Sequence, residues 1–518
     1  MNRITESIIP PGSFIEEIFL KKFLGGQRWI NEFERRTREF RKSQNEELDR
    51  IIEDNEGTRW GREHKFCALN HDTWQNMPIT TYENFRPYIE RMRKGDLNAL
   101  TYQTPIALAL TSGTTAEPKL IPITDDSFES EKIGAGLWNL FLRETHGERL
   151  GKILVLKGGL KEGDKKILPV KSYTELATES QWKIVQKRFV FPKTCDGITD
   201  LEHRLLISAQ QAFIREPKTL VCVNPLTIMR LIDLTEENRE EIGRATLRGK
   251  YIGTDIKIGE IKNEKEVMER VLSKNPLESV EVIATWTGGT QSLFLDKLFK
   301  NGVRADIRDL GYIATEGRFS IPLEDNSSSG VLNPFGIYYE FMAPDKSEMV
   351  PLRGLRADEE YNIVVTGRNG LYRYDMQDIV RFEGFYNEAP VVSFRRKDSS
   401  FSNIVGEKIH ENHVVEMLRK TWIQQERVFL MADAESQRYI LVLGEETKGK
   451  KGVDETILDK AMRDINPEYD SKRQSGRLKG MVVSYFSEGV VNEIDRKVNP
   501  RQDHDRFKRK YLISTGIL

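Results

Sequence analysis

The stretch TSGTTAEPKLIPIT, Thr111 to Thr124, follows the apolar run Ile106–Leu110 with hydroxyls and a glycine, and places Lys119 just beyond. Thr111, Ser112, Gly113, Thr114 and Thr115 offer hydroxyl and backbone N–H donors, and Lys119 adds a cation; together they suit a polyphosphate. A polar turn with a lysine nearby would read the same. The segment is not a P-loop, because no glycine precedes Lys119 and Leu120 follows it. A second stretch, DLGYIATEGRF, carries Tyr312, Thr315 and Glu316. An aromatic face can stack on a purine, a hydroxyl can bind a phosphate oxygen, and a carboxylate can hold Mg²⁺; a strand end with a core tyrosine fits the letters equally. A third, GLYRYDMQDIVRF, ends a patterned run on Asp378. A carboxylate there can accept from both vicinal hydroxyls of a ribose, although a turn aspartate is the commoner fate. The fourth, FRRKDSSFSNIVGEKIHENHV, contains Asp398, Gly406 and Lys408.

These residues need a scaffold, and the periodicities describe one. Amphipathic helices are expected at Ser13–Leu24 and at LEHRLLISAQQAFI, where Leu201, Leu205, Leu206, Ala209 and Phe213 share a face. Between them lie β-branched runs, KILVL, VEVIATW and YNIVVTG, which read as buried strands of an α/β domain. Near Arg395 the texture becomes polar and turn-rich, and RRKDSSFSN reads as a linker or hinge. Beyond it a small α+β unit is expected, with helices at ENHVVEMLRK and VDETILDKAMRDI and strands at RVFLM, YILVLG and GMVVSYF. The expected division is 1–396 and 397–518.

Composition narrows the partners. The chain has 518 residues with 79 Lys+Arg against 80 Asp+Glu, so no excess of positive charge points to nucleic acid or an anionic membrane. A basic cluster near the C-terminus, Arg506-Phe-Lys508-Arg509-Lys510, fits a solvated helix face. Three scattered cysteines argue against a disulfide framework or zinc knuckle and for a reducing compartment. No apolar run approaches the roughly 18 residues of a membrane span, and the N-terminus lacks the apolar core of a signal peptide. A cytoplasmic location is expected.

In this order, the four motifs resemble the adenylate-forming superfamily of acyl-CoA synthetases, adenylation domains and luciferases. TRWGREHKF, MPITTYENFRPYIERMRKGD, WTGGTQS, GYIATEGRFSIP, LYRYDMQDIV and SNIVGEKIHENHV look more closely like the acyl-acid amido synthetases of the plant auxin-conjugating, Gretchen Hagen type. The resemblance runs from about Thr58 to the C-terminus. It implies a large multi-sheet N-terminal domain and a small mobile C-terminal domain. It implies ATP and Mg²⁺ as cofactors, and small-molecule carboxylic acid and amine substrates, the amine typically an amino acid. The acid would attack ATP to give an acyl-adenylate, and the amine would then displace AMP. A thiol or alcohol acceptor would share the first half of that reaction, and a catalytically retired binding protein would keep only the binding.

By the same resemblance, Thr111 to Thr115 would contact phosphates and Lys119 would lie near the pyrophosphate. Tyr312 would lie beside adenine, Thr315 at the α-phosphate, Glu316 on Mg²⁺ and Asp378 at the ribose. Lys408 would face the nucleotide, and Lys508, in DRFKRKYL, would be a cation for adenylation. An acyl pocket is expected around Leu201–Phe213 and Trp286–Ser292. The sequence departs from the pattern at Gln377, where a glycine usually stands, at Ala116-Glu117, and in lacking Pro-Arg after Lys508.

Overall fold

The computed structural model describes residues 26–111, 119–157, 168–172, 183–261, 263–288, 295, 298–299, 302–397, 401–405, 407–421, 423, 427–449, 453–499 and 509–514. The expected helix at Ser13–Leu24 lies outside them. The chain forms two compact units. One comprises Met1–Thr287, Phe294–Met376 and Val380–Phe394; the other comprises Gly288–Leu293, Gln377–Ile379 and Arg395–Leu518.

Among the described residues, three sheets of three or more strands organise the first unit. In the smallest, β1 (Ala107–Leu110) pairs antiparallel with β2 (Leu120–Ile123) and parallel with β4 (Val170–Ser172). The second is wholly parallel, in the order β3 (Ile153–Leu156), β5 (Thr219–Cys222), β6 (Val282–Thr285), β7 (Asp306–Asp309). β3, β5 and β6 are short apolar runs because helices cover the sheet, as a parallel sheet requires. The helix Leu201–Arg215 is started by Asp200, whose side chain accepts from the His203 N–H at 2.7 Å. Leu205, Ala209 and Phe213 are buried as the pattern predicts, and so are Ile207 and Ala212. They join one core with Leu154, Leu220 and Ile283, each large apolar side chain stabilising by about 1.5–3 kcal/mol. That face of the helix is therefore core.

The third sheet has seven strands, in the order β10 (Ser320–Ile321), β11 (Ser329–Leu332), β16 (Ala389–Lys397), β15 (Tyr374–Tyr386), β14 (Glu360–Gly367), β12 (Ile337–Met342) and β13 (Met349–Val350). The expected strand YNIVVTG is β14. Arg395–Lys397, read from the sequence as the start of a linker, instead complete β16. Their long polar side chains hide the strand alternation that shorter residues would have shown.

The second unit is a four-stranded sheet, ordered β21 (Val482–Phe486), β20 (Arg438–Gly444), β19 (Phe429–Asp433), β22 (Leu512–Ser514). It carries the helices Glu411–Lys420, Glu455–Ile465, Pro467–Gln474 and Glu488–Val498. Phe429, Val442, Val491 and Ile494 form part of its core. In the same unit β17 (Phe401–Ser402) and β18 (Ile409–His410) pair antiparallel. No helix among the described residues is long and apolar enough to cross a membrane.

Candidate active site

The pairing of β1 with β2 is extended one step by Thr111 and Lys119. Thr111 N–H donates to the Lys119 carbonyl at 2.9 Å, and Lys119 N–H donates to Thr111 Oγ1 at 3.0 Å. Ser112, Gly113, Thr114 and Thr115 lie outside the described residues, as do Ala116 and Glu117. The Lys119 Nζ donates to the Tyr374 hydroxyl at 3.1 Å and sits 5.5 Å and 5.8 Å from the Tyr82 and Tyr374 ring centres. Two aromatic faces favour the ammonium while leaving it partly buried. Tyr82 is fixed in turn, because its hydroxyl accepts from the Leu120 N–H at 2.8 Å and donates to the Leu120 carbonyl at 3.2 Å.

Two sequence blocks distant in the chain meet to make this arrangement. Thr80, in MPITTYENF, donates through its N–H to the Arg373 carbonyl at 2.8 Å and through its hydroxyl to the Tyr372 carbonyl at 2.7 Å; Asp375 N–H donates back to Thr80 at 2.9 Å. The Arg373 guanidinium donates to the Gln75 carbonyl at 2.9 Å and to that of Met77, and forms a two-pronged pair with Glu340 at 3.0 and 2.8 Å. Tyr82 and Tyr374 are thereby delivered to the same lysine.

Thr315 and Glu316 form the two-residue turn of a hairpin between β8 (Ile313–Ala314) and β9 (Gly317–Arg318), with Ala314 opposite Gly317. Thr315 is buried and Glu316 half-buried. The Glu316 carbonyl accepts from Asn369 Nδ2 at 2.8 Å. Tyr312 is 7% exposed, with its ring packed against Phe319 and Phe394 at centroid distances of 4.7 and 5.6 Å. The hairpin begins just past the carboxyl end of β7, and open α/β sheets bind ligands outside the carboxyl ends of their strands.

Asp309, the last residue of β7, is a structural centre that the sequence reading missed. Its carboxylate accepts from the Thr287 N–H and hydroxyl at 2.7 and 2.6 Å and from the Gly311 N–H at 2.6 Å. Its carbonyl accepts from Trp138 Nε1 at 2.9 Å, and Trp286 Nε1 donates to Gly311 at 3.1 Å. The beginnings of the WTGGTQS and GYIATEG blocks are thus tied to one carboxylate. Burial pushes Asp309 up to about 6 despite the opposing pull of its three donors.

Asp378 lies within β15 and not at a turn, is 2% exposed, and groups with the second unit. Lys397 Nζ stands 2.5 Å from its Oδ1. Gln377 has a φ of +52° and faces solvent. That left-handed backbone explains why glycine suits the position. In the same unit Lys408 is exposed; its N–H donates to Glu468 Oε2 at 2.9 Å and its carbonyl accepts from Asn466 Nδ2 at 2.8 Å. The neighbouring Glu407 is fully buried, accepting from the Ile404 and Val405 N–H groups at 2.8 and 3.0 Å and from the Tyr439 hydroxyl at 2.8 Å. It fixes the SNIVGEK segment that presents Lys408. Asp398, Gly406 and Lys508 lie outside the described residues.

Glu316 fits Mg²⁺ by its chemistry: a hard oxygen donor, half-exposed on a hairpin turn. No group of three or more metal-ligating side chains occurs among the described residues.

Comparison with known families decides the relationship. Residues 29–301 match the GH3 family N-terminal domain, and residues 330–397 match the GH3 family central domain. The chain belongs to the GH3 family. Among its curated relatives is jasmonoyl–L-amino acid synthetase JAR4 of Nicotiana attenuata, 25% identical over 414 residues that cover 70% of each chain. In fold this GH3 chain is similar to the AtGH3.15 acyl acid amido synthetase in complex with 2,4-DB, with a TM-score of 0.76 at 18% identity over 94% of both chains. It is also similar in fold to a 2-hydroxyisobutyryl-CoA ligase in the postadenylation state, with a TM-score of 0.58 at 11% identity, covering 91% of this chain and 89% of the other. The α/β multi-sheet architecture with a smaller α+β C-terminal part is that of these GH3 structures.

Proposed function

We propose that this protein joins a carboxylic acid to an amine, most fittingly an amino acid, at the expense of ATP. The observation that carries the reading is family membership across the N-terminal and central domains, with relatives named as amido synthetases. A carboxylate is a weak electrophile without a leaving group. In the first step its oxygen attacks the α-phosphorus of ATP; a new O–P bond forms, the bond to the β-phosphate breaks, and pyrophosphate leaves. In the second, the amine nitrogen attacks the acyl carbon, loses a proton, and expels AMP, leaving an amide.

The residues divide this work by the charges they meet. Thr111 to Thr115 donate to the phosphates. Lys119, held between Tyr82 and Tyr374, stabilises charge that develops on the departing pyrophosphate. Thr315 binds the α-phosphate, and Tyr312 borders the adenine as a packed, immobile ring. Asp378 accepts from the ribose hydroxyls, and Lys408 and Lys508 are the candidate cations of the adenylation step. Glu316 holds Mg²⁺, which neutralises triphosphate charge when bound. The proposal assigns nucleotide and acid binding to 1–396, and to 397–518 a small domain that supplies the last two lysines. A cytoplasmic location completes the reading.

The test is product identity. With ATP and Mg²⁺, a panel of aromatic, fatty and jasmonate-like acids is offered to amino acids and, separately, to CoA, and the products are resolved by mass. Amide together with AMP is the expected result. A thioester with CoA and no amide would overturn the choice of acceptor.

A further inference from the structure

One buried ion pair ties the two nucleotide motifs of the first unit together. The helix Asp125–His146 starts immediately after β2, capped by Thr124, whose hydroxyl accepts from the Ser127 N–H. Two turns into it, Glu131 is 7% exposed and pairs with Arg318 of β9; Oε1 accepts from Nε and Nη2, each at 3.2 Å. Arg318 is 6% exposed and donates from Nη1 to the Leu310 carbonyl at 2.9 Å. Its own carbonyl accepts from Asn333 Nδ2 at 3.0 Å. Gly134, one turn beyond Glu131, leaves room for the guanidinium stem, since a Cβ there would stand 2.7 Å from Arg318 Cδ. The helix that follows the Thr111–Lys119 segment therefore grips the strand that follows the Thr315–Glu316 turn.

Glu131 has a second oxygen, Oε2, which is buried without a protein partner among the described residues. Glu131 lines a cavity of about 30 Å³ that Glu316, Asn333 and Asn369 also line. That is room for about one water. Arg318, paired with Glu131, and Arg368, paired with Glu47, line the same cavity.

We propose that Glu131 is a positioning residue for Glu316: through Arg318 it fixes the Thr315–Glu316 turn, whose carboxylate would hold the metal of bound ATP. The proposal rests on the ATP-dependent reading above. Removing the charge leaves Arg318 buried without its counter-ion, so the hairpin shifts and the metal site loosens, while Lys119, which stands outside the hairpin, keeps its place. A misplacement of about 1 Å can cost on the order of a hundredfold in rate.

The test measures ATP binding by calorimetry with and without Mg²⁺, beside pyrophosphate exchange, for the whole chain and for Glu131→Gln. In the wild type Mg²⁺ tightens ATP binding. In Glu131→Gln that tightening shrinks by about tenfold or more, ATP affinity without Mg²⁺ falls by a smaller factor through Thr315, and the exchange rate at saturating ATP falls. Should Glu131→Gln not fold, the double variant Glu131→Gln/Arg318→Met, which removes both buried charges, carries the same expectation. A variant that melts earlier yet keeps the full Mg²⁺ effect on ATP binding would overturn the positioning role and leave the reaction standing. A wild type that binds no ATP would sink the reaction itself, and this proposal with it.

Discussion

The motif letters located most of the side chains on which the proposed chemistry rests, but not what holds them. Lys119 and Glu316 stand out in the letters as a cation near hydroxyls and a carboxylate beside a threonine. Tyr82 and Tyr374 were quoted within blocks and given no role, since nothing local says that two tyrosines far apart in the chain share one ammonium. Gln377 shows the opposite case: the family's glycine pointed at a special backbone, and the φ of +52° is that backbone. A side chain in the left-handed region costs about 1–2 kcal/mol, of which glycine's greater freedom in the unfolded chain gives back roughly half. Gln377→Gly is therefore expected to stabilise the protein by about 0.5 kcal/mol, read as a higher urea midpoint. A lower midpoint would mean that the Gln377 side chain contributes more than its backbone costs.

At the scale of elements, the strands and helices of both units were largely readable from periodicity, as β14 and the helix Glu411–Lys420 illustrate. Their joints were not. Asp309 works through donors on residues 287 and 311, so RDLG reads locally as an ordinary turn. Asp309→Ala would leave those donors buried without their acceptor, and a loss of about 2–4 kcal/mol is expected in urea unfolding; a loss below 1 kcal/mol would show that the ends of β6 and β7 hold without it. The C-terminal strand has a comparable joint. Glu411 accepts from the Tyr511 and Leu512 N–H groups at 2.7 and 3.2 Å, and burial raises its carboxyl to about 7. A raised carboxyl favours the protonated folded state, so its contribution is fully present below the unfolded value near 4.5 and is lost as pH rises to about 7. The melting temperature should therefore fall between pH 5 and 7 more steeply in the wild type than in Glu411→Gln. Equal slopes would remove Glu411 from the pH response.

For the molecule as a whole, the ordered blocks spread over nearly the full chain made the family legible, and the matches to its N-terminal and central domains agree with that reading. The acid was not legible. Pocket shape depends on which apolar side chains escape the core, and the helix Leu201–Arg215, a natural candidate from its pattern, turned out to spend its inner face on the core. Such choices are made by tertiary packing and leave no local signature. The central claim, that ATP is consumed to activate a carboxylic acid, is tested most directly by acid-dependent ATP–pyrophosphate exchange with Mg²⁺, with Asp378→Ala beside the wild type. The account predicts exchange that requires an acid and disappears in Asp378→Ala while the variant stays folded. Measurable ATP binding with no exchange for any acid would contradict it and leave a protein that keeps the nucleotide site without the reaction.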